Sequence, residues 1–240
     1  RDSKTYVIRK LADGNCWMVQ NLDLDLSTSV ALNSTTSDLS PGRTWTPQNN
    51  TQTTEGAVWA QDGGDMARSM NPGNIYFPGG VGTGTADANN NLAGSTTGEP
   101  WEHIGNYYNW YAATAGTGLI ATATNDTATS VSDSICPRSW KLPDNSGTKS
   151  FINLVFTTYG LADSITDVGK PLIAPLNFVR SGDYDWNLGH IAAKGHTGYW
   201  WSNTAYTALY AYAFTAGQRL VTPQYGHTKG YGFSIRCVAR

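Results

Sequence analysis

Side chains able to do acid–base, nucleophilic or metal chemistry are few and scattered. The histidines His103, His190, His196 and His227 stand far apart, and none falls in a His-Glu-x-x-His or comparable frame, so surface or hydrogen-bonding roles are expected. Cys136, followed by Pro137, could be a nucleophile paired with a distant histidine, but in an aromatic-rich chain of secreted character a disulfide is the stronger expectation. With Cys16 and Cys237 it makes one pair and a remainder, and the lack of any Cys-x-x-Cys spacing argues against zinc fingers and thioredoxin-type chemistry. Asp23 and Asp25 alternate with Leu22, Leu24 and Leu26. Their oxygens could serve calcium, yet alternation of period two more simply describes a strand with one wet face, and EF-hand spacing is missing. The run Gly79-Gly80-Val81-Gly82-Thr83-Gly84 has no Lys-Ser/Thr after it and reads as plain loop. The expectation is therefore no catalytic residue, no cofactor and no metal, with calcium the one ion left open.

One stretch is unusually rich in contact chemistry. Tyr199, Trp200, Trp201, Tyr206, Tyr210, Tyr212, Phe214, Tyr225 and Tyr231 are mixed with Ala, Thr, Gly, His and Asn. Tyr and Trp bring large contact area with few rotatable bonds, and small polar neighbours adapt hydrogen bonding, as in a paratope. A β-core with alternate residues inward would use the same residues, and the residue pattern leaves the two readings even.

The elements that must position these residues are short. The chain has 240 residues, 14% charged and 12% aromatic, with a net charge of -2. Average domains carry about a quarter charged residues, and the polarity here comes from Asn, Thr, Ser and Gln instead. Aromatics at this level can build a core, so disorder is excluded. No apolar run suits a spanning helix, and no basic block suits nucleic acid. Because the sequence opens on Arg1 without an apolar signal core, a mature or excised piece is expected. Tyr107 to Ala115 spaces Tyr107, Trp110, Tyr111 and Thr114 as one helical face, with Gly116 as its stop. Ser146 to Tyr159 predicts a second helix, capped by Ser146 or Thr148 and ended by Gly160. Tyr6 to Ile8 and Cys16 to Leu22 flank Asp13-Gly14 as a β-hairpin. Ser27 to Gly56 and Gly79 to Gly98 read as long surface loops. Tyr199 to Asn203, Leu209 to Phe214, Arg219 to Val221 and Phe233 to Val238 read as strands of a single domain spanning 1–240.

Five ordered segments resemble a known family. Asp13-Gly14-Asn15-Cys16-Trp17-Met18-Val19-Gln20-Asn21-Leu22 is similar to the opening of the Fibrobacter succinogenes major paralogous domain. Tyr108-Asn109-Trp110-Tyr111-Ala112-Ala113 is similar to its helix, and Ile135-Cys136-Pro137-Arg138-Ser139-Trp140-Lys141-Leu142-Pro143 to its cysteine–proline segment, with Ser139 where the family has Gly. Pro175 to Gly182 and Gly232 to Val238 complete the set. The resemblance implies an α+β, C-type-lectin-like fold related to formylglycine-generating enzymes, with two short helices, short strands and long loop insertions.

Many members of that family resemble variable proteins of diversity-generating retroelements, whose 3′ codons are rewritten at adenines. The resemblance therefore implies a secreted or cell-surface ligand-binding protein, not an enzyme, with a hypervariable region at about 183–231. Its partner would be a protein on another cell or a virus, without nucleic acid or membrane insertion. The implied exchangeable residues are Ala205, Tyr206, Thr207, Ala208, Tyr210, Tyr212, Phe214, Tyr225, Gly226, His227, Thr228, Gly230 and Tyr231, joined by Asp183, Tyr184 and Tyr199. Trp200, which a rewritten AAC codon cannot encode, stands beside them as a ligand-binding candidate. Tyr206, Tyr210, Tyr212, Tyr225, His227 and Tyr231 should then lie exposed on one surface. Trp17, Trp110, Trp140, Trp201, Phe178 and Phe233 should be buried. Cys136 and Cys237 sit in the family's cysteine-bearing segments and should pair, leaving Cys16 free and buried beside Trp17. Two alternatives are an undiversified adhesin or carbohydrate-binding module and an oxidase of the formylglycine-generating type using those two cysteines as thiols.

Overall fold

A computed structural model describes residues 5–24, 26, 31–46, 105–118, 129–161, 169–185, 190–193 and 196–240. Gly79–Gly84 and the rest of the 79–98 stretch, His103, Asp25 and parts of the 27–56 stretch lie outside the described residues.

The Asp13-Gly14 hairpin forms as predicted, though with shorter strands. Strand β1 (Ile8–Lys10) runs antiparallel to β2 (Cys16–Met18), and Gly14 sits at φ 83° in the turn, a left-handed conformation open to glycine. Strand β12 (Val238–Ala239) joins β2 through Val238 and Trp17, and β6 (Trp140–Lys141) completes the order β1-β2-β12-β6. Beside it, Cys136 and Cys237 are joined by a disulfide with their Cα atoms 5.9 Å apart. Cys16 is free but half-buried, not enclosed with Trp17 as expected.

The second sheet has the order β11-β10-β9-β5, from β5 (Thr129–Ser130), β9 (Thr197–Ala205), β10 (Tyr210–Gly217) and β11 (Val221–Thr228). Strand β11 begins at Val221, where the expected strand ended. Arg219 and Leu220 lie in the turn, closed by Gly217 N–H donating to the Leu220 carbonyl at 2.8 Å. Pro223 hid this strand from the sequence, and it is tolerated because β11 is an edge. The 27–56 stretch is not all loop: β3 (Leu32–Asn33) pairs with β4 (Thr44–Trp45), burying Leu32 and Trp45. Strands β7 (Asp183–Asp185) and β8 (His190–Ala192) form a further pair.

Both helices are shorter than expected. Helix α1 is Trp110–Ala113, because Tyr108 is extended: Tyr108 and Phe233 exchange two backbone hydrogen bonds at 3.0 Å. Asn109 caps it, its side chain accepting from Ala112 N–H, and Gly116 follows at φ 74°. Element α2 (Ile152–Thr158) is π-wound, and Ser150 Oγ, not Ser146 or Thr148, accepts from the Asn153 N–H at its start. These losses correct the expected fold class. Among the described residues the protein is mostly β-sheet, 36% strand against 10% helix, in four antiparallel sheets, and the α+β, C-type-lectin-like expectation does not hold.

Two cores pack on opposite sides of β9 and β10. Side chains alternate along a strand, so Trp200 and Trp201 point apart. Trp201 joins Tyr108, Trp110, Phe233 and Ile235, whereas Trp200 joins Trp17, Phe151, Phe178 and Phe214. A buried polar joint ties the second core together: Asn21 Oδ1 accepts from Trp200 Nε1 at 2.8 Å and from Arg236 Nε at 3.0 Å. Arg236 also donates to the carbonyls of Leu176 and Asn177 and lies 4.2 Å from the Phe178 ring centroid. Of the side chains expected in the core, only Trp140 is half-exposed.

Candidate binding face

Strand register decides which candidates share a surface. Directly paired residues point to the same side, so Ala205, Ala211 and His227 share the front, as do Trp201, Ala213 and Tyr225. Tyr210 with Thr228, and Tyr212 with Gly226, take the back, together with Trp200 and Phe214. The six residues expected on one surface are therefore divided between two faces.

On the back, Tyr206 and Tyr212 rings lie 4.9 Å apart, and Tyr206 and Tyr210 are 46% and 41% exposed. Tyr206 lies over Gly226: a Cβ there would stand 2.9 Å from its ring. The turn between β9 and β10 is closed by Tyr206 N–H donating to the Tyr210 carbonyl at 2.8 Å. Thr207 Oγ1 accepts from the N–H groups of Leu209 and Tyr210. Thr207 and Ala208 are half-exposed on this turn. Buried Lys229 holds it from below, donating from Nζ to the Ala208 carbonyl at 2.8 Å and from its backbone N–H to the Leu209 carbonyl at 3.0 Å. Its ammonium also lies 4.7 Å from the Trp110 ring centroid, and burial lowers its pKa to about 8.

The front carries a continuous aromatic group. His227 stands 4.3 Å from Tyr231, 5.8 Å from Tyr225 and 5.9 Å from Tyr199, and Tyr199 stacks on Phe233 at 4.7 Å. Tyr231 Oη donates to Asp185 Oδ2 at 3.3 Å. Tyr184 is half-buried and bridges to Gly232, which brings β7 alongside. Burial, then nearby Asp183, pushes the Tyr199 phenol up to about 12, so it stays a neutral donor. Burial lowers His227 to about 4, leaving it uncharged at neutral pH. The front face also carries a groove of about 350 Å³, whose lining includes Thr197, Tyr199, Thr215, Thr222 and Tyr225.

Four candidates do not reach solvent. Trp200 and Phe214 are 0% exposed, because each faces the second core, Gly230 is buried beside Lys229, and Asp183 is buried at the start of β7. The other thirteen of the seventeen candidate positions are exposed or half-exposed. Sequence reasoning missed Lys229 as a tether and the threonines of the groove. The threonines come one each from β9, β10 and β11, so only the pairing register brings them together and no local spacing could have found them. No group of three or more His, Cys, Asp or Glu side chains suited to a metal occurs among the described residues. Among the same residues, no helix is long and apolar enough to cross a membrane. Set against known families, curated proteins and solved structures, the chain matches no family model, no curated protein and no solved structure.

Proposed function

We propose that this is a ligand-binding protein of a diversity-generating retroelement, whose C-terminal sheet presents exchangeable side chains to a protein on another cell or a virus. One observation carries the reading: the residues that a rewritten codon could supply lie at solvent-reaching positions, except Asp183, Phe214 and Gly230. Their strand neighbours Trp201, Ala211 and Ala213 are buried. Such a division is what diversification needs, since a large-to-small core change costs about 2–5 kcal/mol whereas an exposed change stays within about 0.5 kcal/mol. Broad tyrosine surfaces suit protein partners. The disulfide supports a place outside reducing compartments. The oxidase alternative loses its reactive thiols, because Cys136 and Cys237 are bonded to each other.

The test is genetic and physical together. The DNA near the gene should hold a near-repeat of codons 183–231 that differs at adenines, beside a reverse transcriptase gene. A displayed library randomised at Tyr210, Tyr212, Tyr225 and Tyr231 should keep most members protease-resistant, whereas one randomised at Trp200, Trp201, Ala211 and Phe214 should lose most. A gene with no template repeat, or equal losses in the two libraries, overturns the proposal.

A further inference from the structure

The turn that joins β9 to β10 carries Tyr206, Thr207 and Ala208, three positions that the family resemblance marks as exchangeable, yet the residue beneath it is not one of them. Lys229 stands between the exchangeable Thr228 and Gly230 and is 3% exposed. We propose that Lys229 is a positioning residue for recognition, which fixes the main chain of this turn to helix α1 whatever side chains the turn carries. The inference rests on the reading of the turn as part of a binding surface, whereas the tether itself rests on geometry.

The ties on the turn divide by what they touch. Thr207 Oγ1, which accepts from Leu209 and Tyr210, and the Tyr206 ring, which lies over Gly226, are side-chain ties, so each ends when its residue is exchanged. The N–H groups of Tyr206 and Thr207 both donate to the Tyr210 carbonyl, at 2.8 and 3.1 Å, and close the turn on itself. Lys229 ties that closed turn to what lies below. Its Nζ donates to the Ala208 carbonyl and its N–H to the Leu209 carbonyl, and a carbonyl is a group that every residue brings. On the other side, the Lys229 carbonyl accepts from Trp110 N–H at 2.9 Å, and the ammonium lies 4.7 Å from the Trp110 ring centroid. Trp110 opens α1 and is itself buried, with its Nε1 donating to the Ser202 carbonyl at 2.9 Å. The turn is thereby joined through one residue to the helix and, by way of Trp110, to β9. A buried ammonium has lost its water, which makes its bond to a main-chain acceptor stronger than a neutral one and costly to break. A tyrosine presented from such a turn meets a partner without first giving up backbone freedom, so less of the contact energy is offset by ordering.

Amide hydrogen exchange on the whole chain separates a tether from ordinary packing. Lys229→Met keeps the stem beside Trp110 but removes the Nζ donor. It should speed exchange at Tyr206 and Thr207 by about ten-fold or more, while Trp201 and Phe233, inside the core, keep their native rates. A second variant keeps the lysine and changes the turn, with Tyr206→Ser, Thr207→Gly and Ala208→Asp together. Its Lys229 amide, whose sequence neighbours are untouched, should stay within about three-fold of the native rate, so this variant decides even where Lys229→Met fails to fold. Native exchange at Tyr206 and Thr207 in Lys229→Met, acceleration of turn and core by one common factor, or a Lys229 amide freed by the turn changes alone overturns the assignment. Diversification is read from DNA and the tether from exchange in the free protein, so the failure of one leaves the other standing.

Discussion

Trp200 and Trp201 are chemically identical neighbours, yet they serve different cores, and only the strand's alternation tells them apart. The same rule rescues Tyr210 and Tyr212 for solvent while sending Ala211 and Ala213 inward. His227 shows what a half-buried position does to a titratable group. In the unfolded chain it takes a proton near pH 6.5, but in the fold only near 4, with Asp185 too weak an attraction to offset burial. Between those values the unfolded state binds more protons, so stability is whole above pH 6.5 and falls as the pH drops toward 4. The slope attributable to this group approaches at most about 1.4 kcal/mol per pH unit. Denaturant midpoints measured from pH 7 to 4.5 should fall more steeply in the native protein than in His227→Gln, and matching slopes would show that His227 is not the group responsible.

At the level of strands, faces matter more than residues. Tyr206 sits on the turn between β9 and β10, and Gly226 on β11, yet the ring of one occupies the space the other's side chain would need. An aromatic laid across a strand glycine compensates for its missing side chain. Gly226→Ala should therefore be destabilising in the native background but neutral or stabilising once Tyr206→Ala has removed the ring. A double-mutant cycle by chemical denaturation should give a coupling of about 0.5–1 kcal/mol, and strict additivity would dismiss the contact. How much of this was legible beforehand follows from range. The hairpin at Asp13-Gly14 was readable because its turn chemistry is local. The starts of α1 and α2 were not, because Tyr108 and Ser150 are drawn into bridges with Phe233 and Asp144, the first of them far away in sequence. The tyrosine positions were found as a set, but their division between two faces depends on the pairing register of β10 and β11, which no local pattern encodes.

Across the whole molecule, the disulfide is the longest covalent shortcut. It links residues 101 positions apart, and in the chain-entropy model such a closure stabilises by about 4–5 kcal/mol. The native protein should expose one titratable thiol, from Cys16, rising to three after denaturation and reduction. The reduced chain should melt well below the oxidised one. Three thiols in the native state, or equal melting temperatures, would remove the bond from the account.

The pairing of β12 with β2 and β6 also has a meaning in time. The ribosome delivers Trp17 long before Val238, the residue that pairs with it, and the stretch 183–231 is translated between the two. The first sheet must wait, so folding is completed only after 183–231 has been read through in frame. A copy that lost its frame within 183–231 would leave β2 and β6 without their shared neighbour and Cys136 without its partner. The fold therefore checks the reading frame: a frameshift within 183–231 forfeits the closing strand of the first sheet and the disulfide together.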